Sequence, residues 1–338
     1  MKARISLGIG LACVLGISAC STELDVNAPE REIMVLYGLL DPDDSVHYVR
    51  VNRAYLREGE DALRIAREDP EATNYPAEAL EVELIQVTGS TRVTVSTLSR
   101  MVATEKDSGA FYYPDQVLYV TPQAVALRTD EGTRYEVAVR NLISGHEASA
   151  ETDLVAPFAV QRPLYIPGNN TSFGAVAIDR EVEVALTPSA NSTIHQLTRI
   201  TVHYTERYFS GDSARRVLKV PALFTLTGGS EEVNRLLPEG FILDAIGTTL
   251  DVSNNTQVRE RVFGPVDFTF YAGNQALSDY IEINDNFSPL SQTKPLYTNV
   301  QNGVGLLASR RRQTVSPAIS ANSLQVLQNR YPDVKVAL

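Results

Sequence analysis

The chain of 338 residues has no tryptophan, two cysteines, three methionines and four histidines, and each scarcity narrows what it can do. Without tryptophan, the favoured aromatic platform for stacking on sugars and cations is missing. Both cysteines, Cys13 and Cys20, sit within the opening segment, so the body of the chain offers no disulfide framework and no cysteine metal site. His47, His146, His195 and His203 are scattered, and no two stand at the one-turn or two-residue spacing that metal ligands commonly use. His47 reads as a strand-edge or core histidine, and His203, between Thr201 and Thr205, as a solvated one. Also missing are a Gly-x-Ser-x-Gly elbow, a phosphate-cradling glycine loop and a His-Glu-x-x-His motif. Their absence weakens an enzymatic reading, although triads and carboxylate pairs can be assembled from distant positions. Basic charge is short: 30 Lys and Arg against 41 Asp and Glu give -11, which argues against nucleic acid and against direct adsorption to anionic headgroups. No repeat with a period of about 20 to 50 residues is visible, which disfavours a solenoid or propeller. No cofactor and no metal site is expected.

What is present begins at the N-terminus. Lys2 and Arg4 precede an apolar run from Ile5 to Ile17, followed by Ile17-Ser18-Ala19-Cys20. A positive start, a short hydrophobic core and small residues before a cut make a secretory signal. The run is about 13 residues long, against the roughly 20 needed to span a bilayer as a helix, which disfavours a transmembrane segment. Ile17, Ser18, Ala19 and Cys20 resemble, at all four positions, the lipobox of bacterial lipoprotein precursors. That resemblance implies a cleaved signal peptide over residues 1–19, a diacylglycerol thioether on Cys20 and an acylated new amino group. Ser21 stands where an aspartate commonly retains such proteins at the inner membrane, so the resemblance implies transfer to the outer membrane. Acyl chains bind membranes at about 0.8 kcal/mol per buried methylene, and two chains already make a stable anchor. The segment after Cys20, to residue 31, has no apolar periodicity and reads as a tether. Its roughly eleven residues, at about 3.3 Å each, reach at most about 35 Å.

The remaining chain is long enough for two domains, which we place at residues 32–160 and 164–338. The expected fold class is mainly β: two β-sandwich-like domains with short helical insertions. Glu32 to Leu40 is nearly continuous apolar and suits a strand covered on both faces. Asp41-Pro42-Asp43-Asp44 ends it, and Val46 to Asn52 follows as a strand. Leu80, Val82 and Leu84 alternate with Glu81 and Glu83, and Tyr135, Val137 and Val139 with Glu136 and Arg140, as in strands with one wet face. A helical stripe over Glu60 to Glu68 interrupts them. In the second domain, Val182 to Leu186, Ile200 to Tyr204, Val217 to Leu226 and Val266 to Ala272 predict strands. Glu231 to Leu237, Gln275 to Ile283 and Ser323 to Arg330 predict helices.

Two further resemblances bear on the body. Gly132-Thr133-Arg134-Tyr135-Glu136-Val137-Ala138-Val139-Arg140-Asn141 resembles the sixth strand of a fibronectin type III or immunoglobulin-like sandwich, with Tyr135 placed like the corner tyrosine of those folds. Val35-Leu36-Tyr37-Gly38-Leu39-Leu40, Ala148-Ser149-Ala150-Glu151-Thr152 and Tyr297-Thr298-Asn299-Val300-Gln301-Asn302-Gly303-Val304-Gly305 together resemble a family of poorly characterised outer-membrane lipoproteins. Its members are often found beside TonB-dependent receptors. This implies a lid or accessory subunit for an outer-membrane transporter and carries over no catalytic residues.

Candidate contact residues are few. Tyr112 and Tyr113, before Pro114, form an aromatic loop that is the first choice for a contact surface, with burial in the core as the competing reading. Arg310, Arg311 and Arg312 form the one dense basic cluster; an exposed loop after a strand is the favoured reading, pairing with acidic lipid or glycan groups the other. Asp41, Asp43 and Asp44, and Asn284-Asp285-Asn286, lack full calcium-loop spacing, so Asx turns are preferred. Gly303 and Gly305 suggest a bulged strand. The expected function is a non-enzymatic, lipid-anchored accessory or interaction lipoprotein of the outer membrane, bound through Cys20 to the membrane and through its surface to an envelope protein. Alternatives are a ligand- or glycan-binding lipoprotein feeding a TonB-dependent transporter, with a cleft near Pro157 to Pro163, a structural component of a surface filament or envelope assembly, and an envelope hydrolase with a noncontiguous site.

Overall fold

A computed structural model describes residues 32–54, 64, 67–104, 115–163, 174–251, 256–285 and 296–338. The leader, Cys20, the tether and the Tyr112-Tyr113 loop lie outside the described residues. So does most of the helix expected over 60–68, of which Arg64, Arg67 and Glu68 are described as helical. Among the described residues no helix is long and apolar enough to cross a membrane.

The fold is mainly β. In the first lobe, β1 (Met34–Leu40), β2 (Tyr48–Arg53), β6 (Gln116–Val120) and β5 (Ser99–Ala103) lie side by side in that order. Opposite them stand β8 (Glu147–Asp153), β7 (Thr133–Asn141), β3 (Leu80–Thr88) and β4 (Thr91–Thr97). Period-two alternation aims one side of each strand inward. Leu36, Val51 and Tyr119 from one sheet and Val82, Val137 and Ala150 from the other form one core. The Tyr135 ring is buried and its hydroxyl accepts the Arg128 N–H at 2.8 Å. The strand expected to be covered on both faces, β1, is covered on one, since Tyr37 and Leu39 are 39% and 37% exposed.

The second lobe sets β12 (Ser213–Thr225), β11 (Ile194–Tyr208) and β15 (Val258–Gly273) against a smaller sheet. That sheet runs β13 (Thr227–Gly228), β14 (Val233–Leu237), β10 (Val182–Thr187), β9 (Ala159–Arg162). Ile200, Phe268 and Phe270 meet Val184 and Leu186 in its core. A four-residue helix, α1 (Pro70–Thr73), belongs to the first lobe; α2 (Phe241–Asp251) buries Ile242, Leu243, Ile246 and Leu250 against the second. Helices α3 (Gln275–Asp285) and α4 (Ala321–Arg330) fall where the sequence predicted them. Glu231 to Leu237 does not: it is β14, paired with β10 from Val182 opposite Leu237 to Leu186 opposite Val233.

One late strand joins the lobes. β16 (Val300–Gln301) adds to β8, and β17 (Gly303–Val315) begins parallel to β1, Met34 opposite Gly303 and Leu40 opposite Ser309. It then runs antiparallel to β15, Gly273 opposite Arg310 and Phe268 opposite Val315. The result is a single eight-stranded sheet, β12-β11-β15-β17-β1-β2-β6-β5, that passes from one lobe into the other. Val300 and Leu307, late in sequence, are part of the first lobe's core.

Candidate interaction surface

The eight-stranded sheet has an inner side, buried in the two cores, and an outer side. Along β17, Leu307 and Val315 face inward, so the alternating residues Leu306, Arg310, Arg312 and Thr314 face outward. Cross-strand pairing extends this outer face. Tyr271 stands opposite Arg312 and Thr269 opposite Thr314; across β15, Arg199 is opposite Thr269 and Thr201 opposite Asp267. At the edge, Val217 pairs with His203 and Lys219 with Thr201. The face therefore carries the cations Arg199, Lys219, Arg310 and Arg312 among threonines. Its acids are engaged: His203 Nε2 meets Asp267 Oδ2 at 2.7 Å, and Arg207 meets Glu260 at 2.9 Å. In a chain of net charge -11 this is a concentrated basic surface. Attraction of this kind governs partner choice and encounter rate more than final affinity.

The arginine triplet is thus not a loop after a strand but mid-strand, and alternation separates its members. Arg310 lies 5.0 Å over the Tyr271 ring, within cation–π range. Arg312, opposite Tyr271, is exposed. Arg311 turns to the inner side, where Nε donates to Asp43 Oδ2 at 2.8 Å and Nη1 to the Val155 carbonyl at 3.3 Å. Asp41, which follows Leu40 opposite Ser309 and sits near Arg310, is buried and accepts the Asp43 N–H, the Asx turn expected there. Burial pushes its carboxyl above the usual aspartate range.

On the first lobe the outer face changes character. Tyr37, Leu39 and Tyr48 are exposed on β1 and β2, and α3 lies over β17 beside them, with Tyr280 edge-on to Tyr37 at 6.4 Å. Gly273 leaves the space that Leu277 of α3 fills. The helix is held by Asn274, 1% exposed, whose Oδ1 accepts the N–H groups of Leu277 and Ser309 and whose Nδ2 donates to Thr152 Oγ1 at 2.8 Å. Ser309 Oγ in turn accepts the Val155 N–H at 3.1 Å. This buried knot ties β8, β17 and α3 at the junction of the lobes. Asn274 and Ser309 escaped the sequence reading because nothing local marks a polar residue as buried.

The other candidates resolve structurally. His47 is buried and bonded through Nε2 to the Val125 carbonyl at 3.0 Å, and His195 is buried, which lowers its pKa. Asn284 Nδ2 donates back to the Tyr280 carbonyl within α3; Asn286 lies outside the described residues. In the Tyr297 to Gly305 stretch, Asn299 pairs through both ends of its amide with the backbone of Leu307, and Thr298 Oγ1 accepts the N–H groups of Val300 and Gly305. Gly303 and Gly305 permit close approach of the β1 backbone, not of a ligand. Residues 159–162, where a cleft was expected, form the edge strand β9. A hollow of about 350 Å³ lies elsewhere, on the solvent face of β3, β7 and β8. Small Ala138 and Ser149 leave the room, walled by the pairs Arg92–Glu136 and Arg140–Glu147. Among the described residues no three His, Cys, Asp or Glu side chains are gathered for a metal ion.

Comparison with known proteins adds little. No family model matches the chain, and no curated protein matches it. Among solved structures, the C-terminal globular domain of the oligosaccharyltransferase from Pyrococcus abyssi aligns over 72% of the chain at 11% identity, with a TM-score of 0.21. The alignment spans about half, 49%, of that structure's length.

Proposed function

We propose that the chain is a lipid-anchored accessory subunit of the outer membrane that works through protein contact and has no reaction centre. The observation that carries this reading is the layout of the eight-stranded sheet. The chain enters at Glu32, one residue-pair from the start of β1; Gly303 of β17 lies beside Met34, and Val315 at its other end beside Phe268. β15 continues to Val258, opposite Tyr208. At about 3.3 Å per residue these strands extend at most roughly 70 Å from the tether end. A membrane-held first lobe thus presents the basic outer face of the second lobe at a distance, suited to a partner with an acidic surface. The first lobe reads as an immunoglobulin-type spacer: its orders β1-β2-β6-β5 and β8-β7-β3 correspond to the A-B-E-D and G-F-C sheets of such sandwiches, with β4 added at the edge. Fold alone assigns no task, so the surface bears the argument.

The test places a photo-crosslinking residue at Lys219 in cells, with Val93 on the other lobe as control. A discrete adduct from Lys219, lost when Arg199 and Arg312 are changed to Glu, is expected. The Cys20→Ser chain should leave the membrane fraction. No adduct from any outer-face position, or unchanged membrane association without Cys20, overturns the reading. A second reading, capture of a small polar ligand, is favoured by the hollow between Arg92–Glu136 and Arg140–Glu147. Loss of ligand binding on Ser149→Trp would be its signature.

A further inference from the structure

The β7–β8 turn lies at the tether end of the molecule, where Asn141 and Ser144 bond to Glu32. Its tip is Leu142-Ile143, 57% and 74% exposed. The turn is nevertheless rigidly built. Asn141 Oδ1 accepts the N–H groups of Ile143 and Ser144, Gly145 N–H returns to the Asn141 carbonyl at 2.8 Å, and Leu142 N–H binds the Ala79 carbonyl at 2.8 Å. Gly145 has a φ of 73°, the left-handed conformation the turn requires. Two large aliphatic side chains are therefore held in solvent by a framework of part-buried hydrogen bonds, where turns ordinarily carry polar residues.

The same framework grips the chain where the tether ends. Glu32 accepts hydrogen bonds from Asn141 Nδ2 at 2.7 Å, Ser144 Oγ at 2.6 Å and Tyr75 Oη at 3.0 Å. Ile33, the next residue, is 38% exposed. The turn and the tether exit are thus one rigid unit. An anchor at Cys20 holds this unit within the tether's reach, about 35 Å at most, of the bilayer at all times.

We propose that Leu142 and Ile143 insert into the bilayer that holds the anchor, fixing the orientation of the lobe on the membrane. The inference rests on the anchored reading of the chain and adds a second, non-covalent contact to it. Two apolar side chains are too few to bind a membrane on their own, but tethering raises their effective concentration at the surface. The Arg140–Glu147 ion pair lies behind the tip, and Leu142-Ile143 itself carries no charge.

The absence of tryptophan makes the test direct. Ile143→Trp introduces the only indole into the acylated protein, purified from membranes and reconstituted in phosphatidylcholine vesicles with brominated acyl chains. Phe209→Trp, at the exposed β11–β12 tip on the other lobe, is the control, and Leu142→Trp is a second probe. The expected result is blue-shifted emission at 143, quenched several-fold more by bromine than at 209. Equal weak quenching at 142, 143 and 209 in protein that mass spectrometry shows to be acylated overturns the insertion and leaves the anchor standing. Unacylated protein, read by mass spectrometry, overturns the anchor, and the insertion that depends on it falls with it. A 143 signal that shifts only in cells, with none in vesicles, assigns the tip to a protein neighbour and overturns the proposal.

Discussion

Arg261 is the bulkiest side chain that the described residues remove fully from water, 2% exposed, and its surroundings explain why it is tolerated. Its Nε donates to Glu206 Oε1 at 3.1 Å and Nη1 to the Val334 carbonyl at 3.0 Å, while Glu206 also receives Tyr208 Oη at 2.9 Å and Arg216 Nε at 3.3 Å. Burial alone would push the Glu206 carboxyl upward; the bonds from Tyr208, Arg261 and Arg216 outweigh it and hold the group below the ordinary glutamate value of about 4.5. Removing one partner of a buried pair strands the other. Arg261→Met is expected to lose roughly 3 kcal/mol in denaturant unfolding at neutral pH, and adding Glu206→Leu to restore part of it. The sign with pH follows from the depressed value. A carboxylate of this kind stabilises fully above its unfolded pKa, and the contribution disappears as pH falls through the folded one. The difference between wild type and Arg261→Met should therefore narrow below about pH 4.5. A constant difference from neutral to acid would contradict this account. None of these partners was legible in the sequence, since Glu206 and Arg261 are far apart in the chain and each looks like an ordinary strand charge.

At the scale of elements, legibility depended on whether local pattern or distant pairing decides the outcome. β7 and β10 are announced by Tyr135, Val137 and Val139 and by Val182, Val184 and Leu186, whose alternation is the cause of their burial. Val233 and Leu237, four apart, satisfy a helical stripe and the same face of a strand equally well; the partner β10 decides for the strand. Three adjacent arginines look like a loop because like charges repel, yet alternation sends Arg310 and Arg312 to one side and Arg311 to the other. Of the four cations on the outer face only Arg310 and Arg312 were legible in the sequence; Arg199 and Lys219 were not, because the sheet that gathers them is set by distant pairing. The glycines of β17 show pairing at work. Gly305 has a φ of 128°, and a Cβ there would fall inside contact distance of the Leu36 carbonyl oxygen. Gly305→Ala should destabilise the protein by about 3 kcal/mol, from backbone strain and loss of the parallel pairing. Hydrogen exchange should quicken at the β1 amides first. Unchanged protection of Val35 to Leu39 would show that β1 does not depend on this register.

For the whole molecule, the shared sheet predicts that the lobes do not fold separately, whatever boundary the sequence suggests near residues 160–164. Cut there, the first lobe loses Val300 and Leu307 from its core and the parallel neighbour of β1. It also loses the Asn274–Ser309 knot, which satisfies buried polar groups of Thr152 and Val155. Leaving such groups unpaired costs about 1–3 kcal/mol each, and each large aliphatic residue missing from a core about 2–5 kcal/mol. Against typical domain stabilities of about 5–15 kcal/mol, these losses are enough to unfold it. An uncovered β1 would in addition offer a free apolar edge for aggregation. Residues 32–163 expressed alone should be unfolded or aggregated, whereas the full body should unfold in one cooperative transition. Supplying residues 296–315 fused after a flexible linker should rescue the fragment, because it restores both the core residues and the strand. A fragment 32–163 that melts cooperatively on its own would mean that β17 merely decorates an autonomous domain. The sheet would then be two sheets in contact, and the orientation of the basic face relative to the tether would no longer be fixed by the fold.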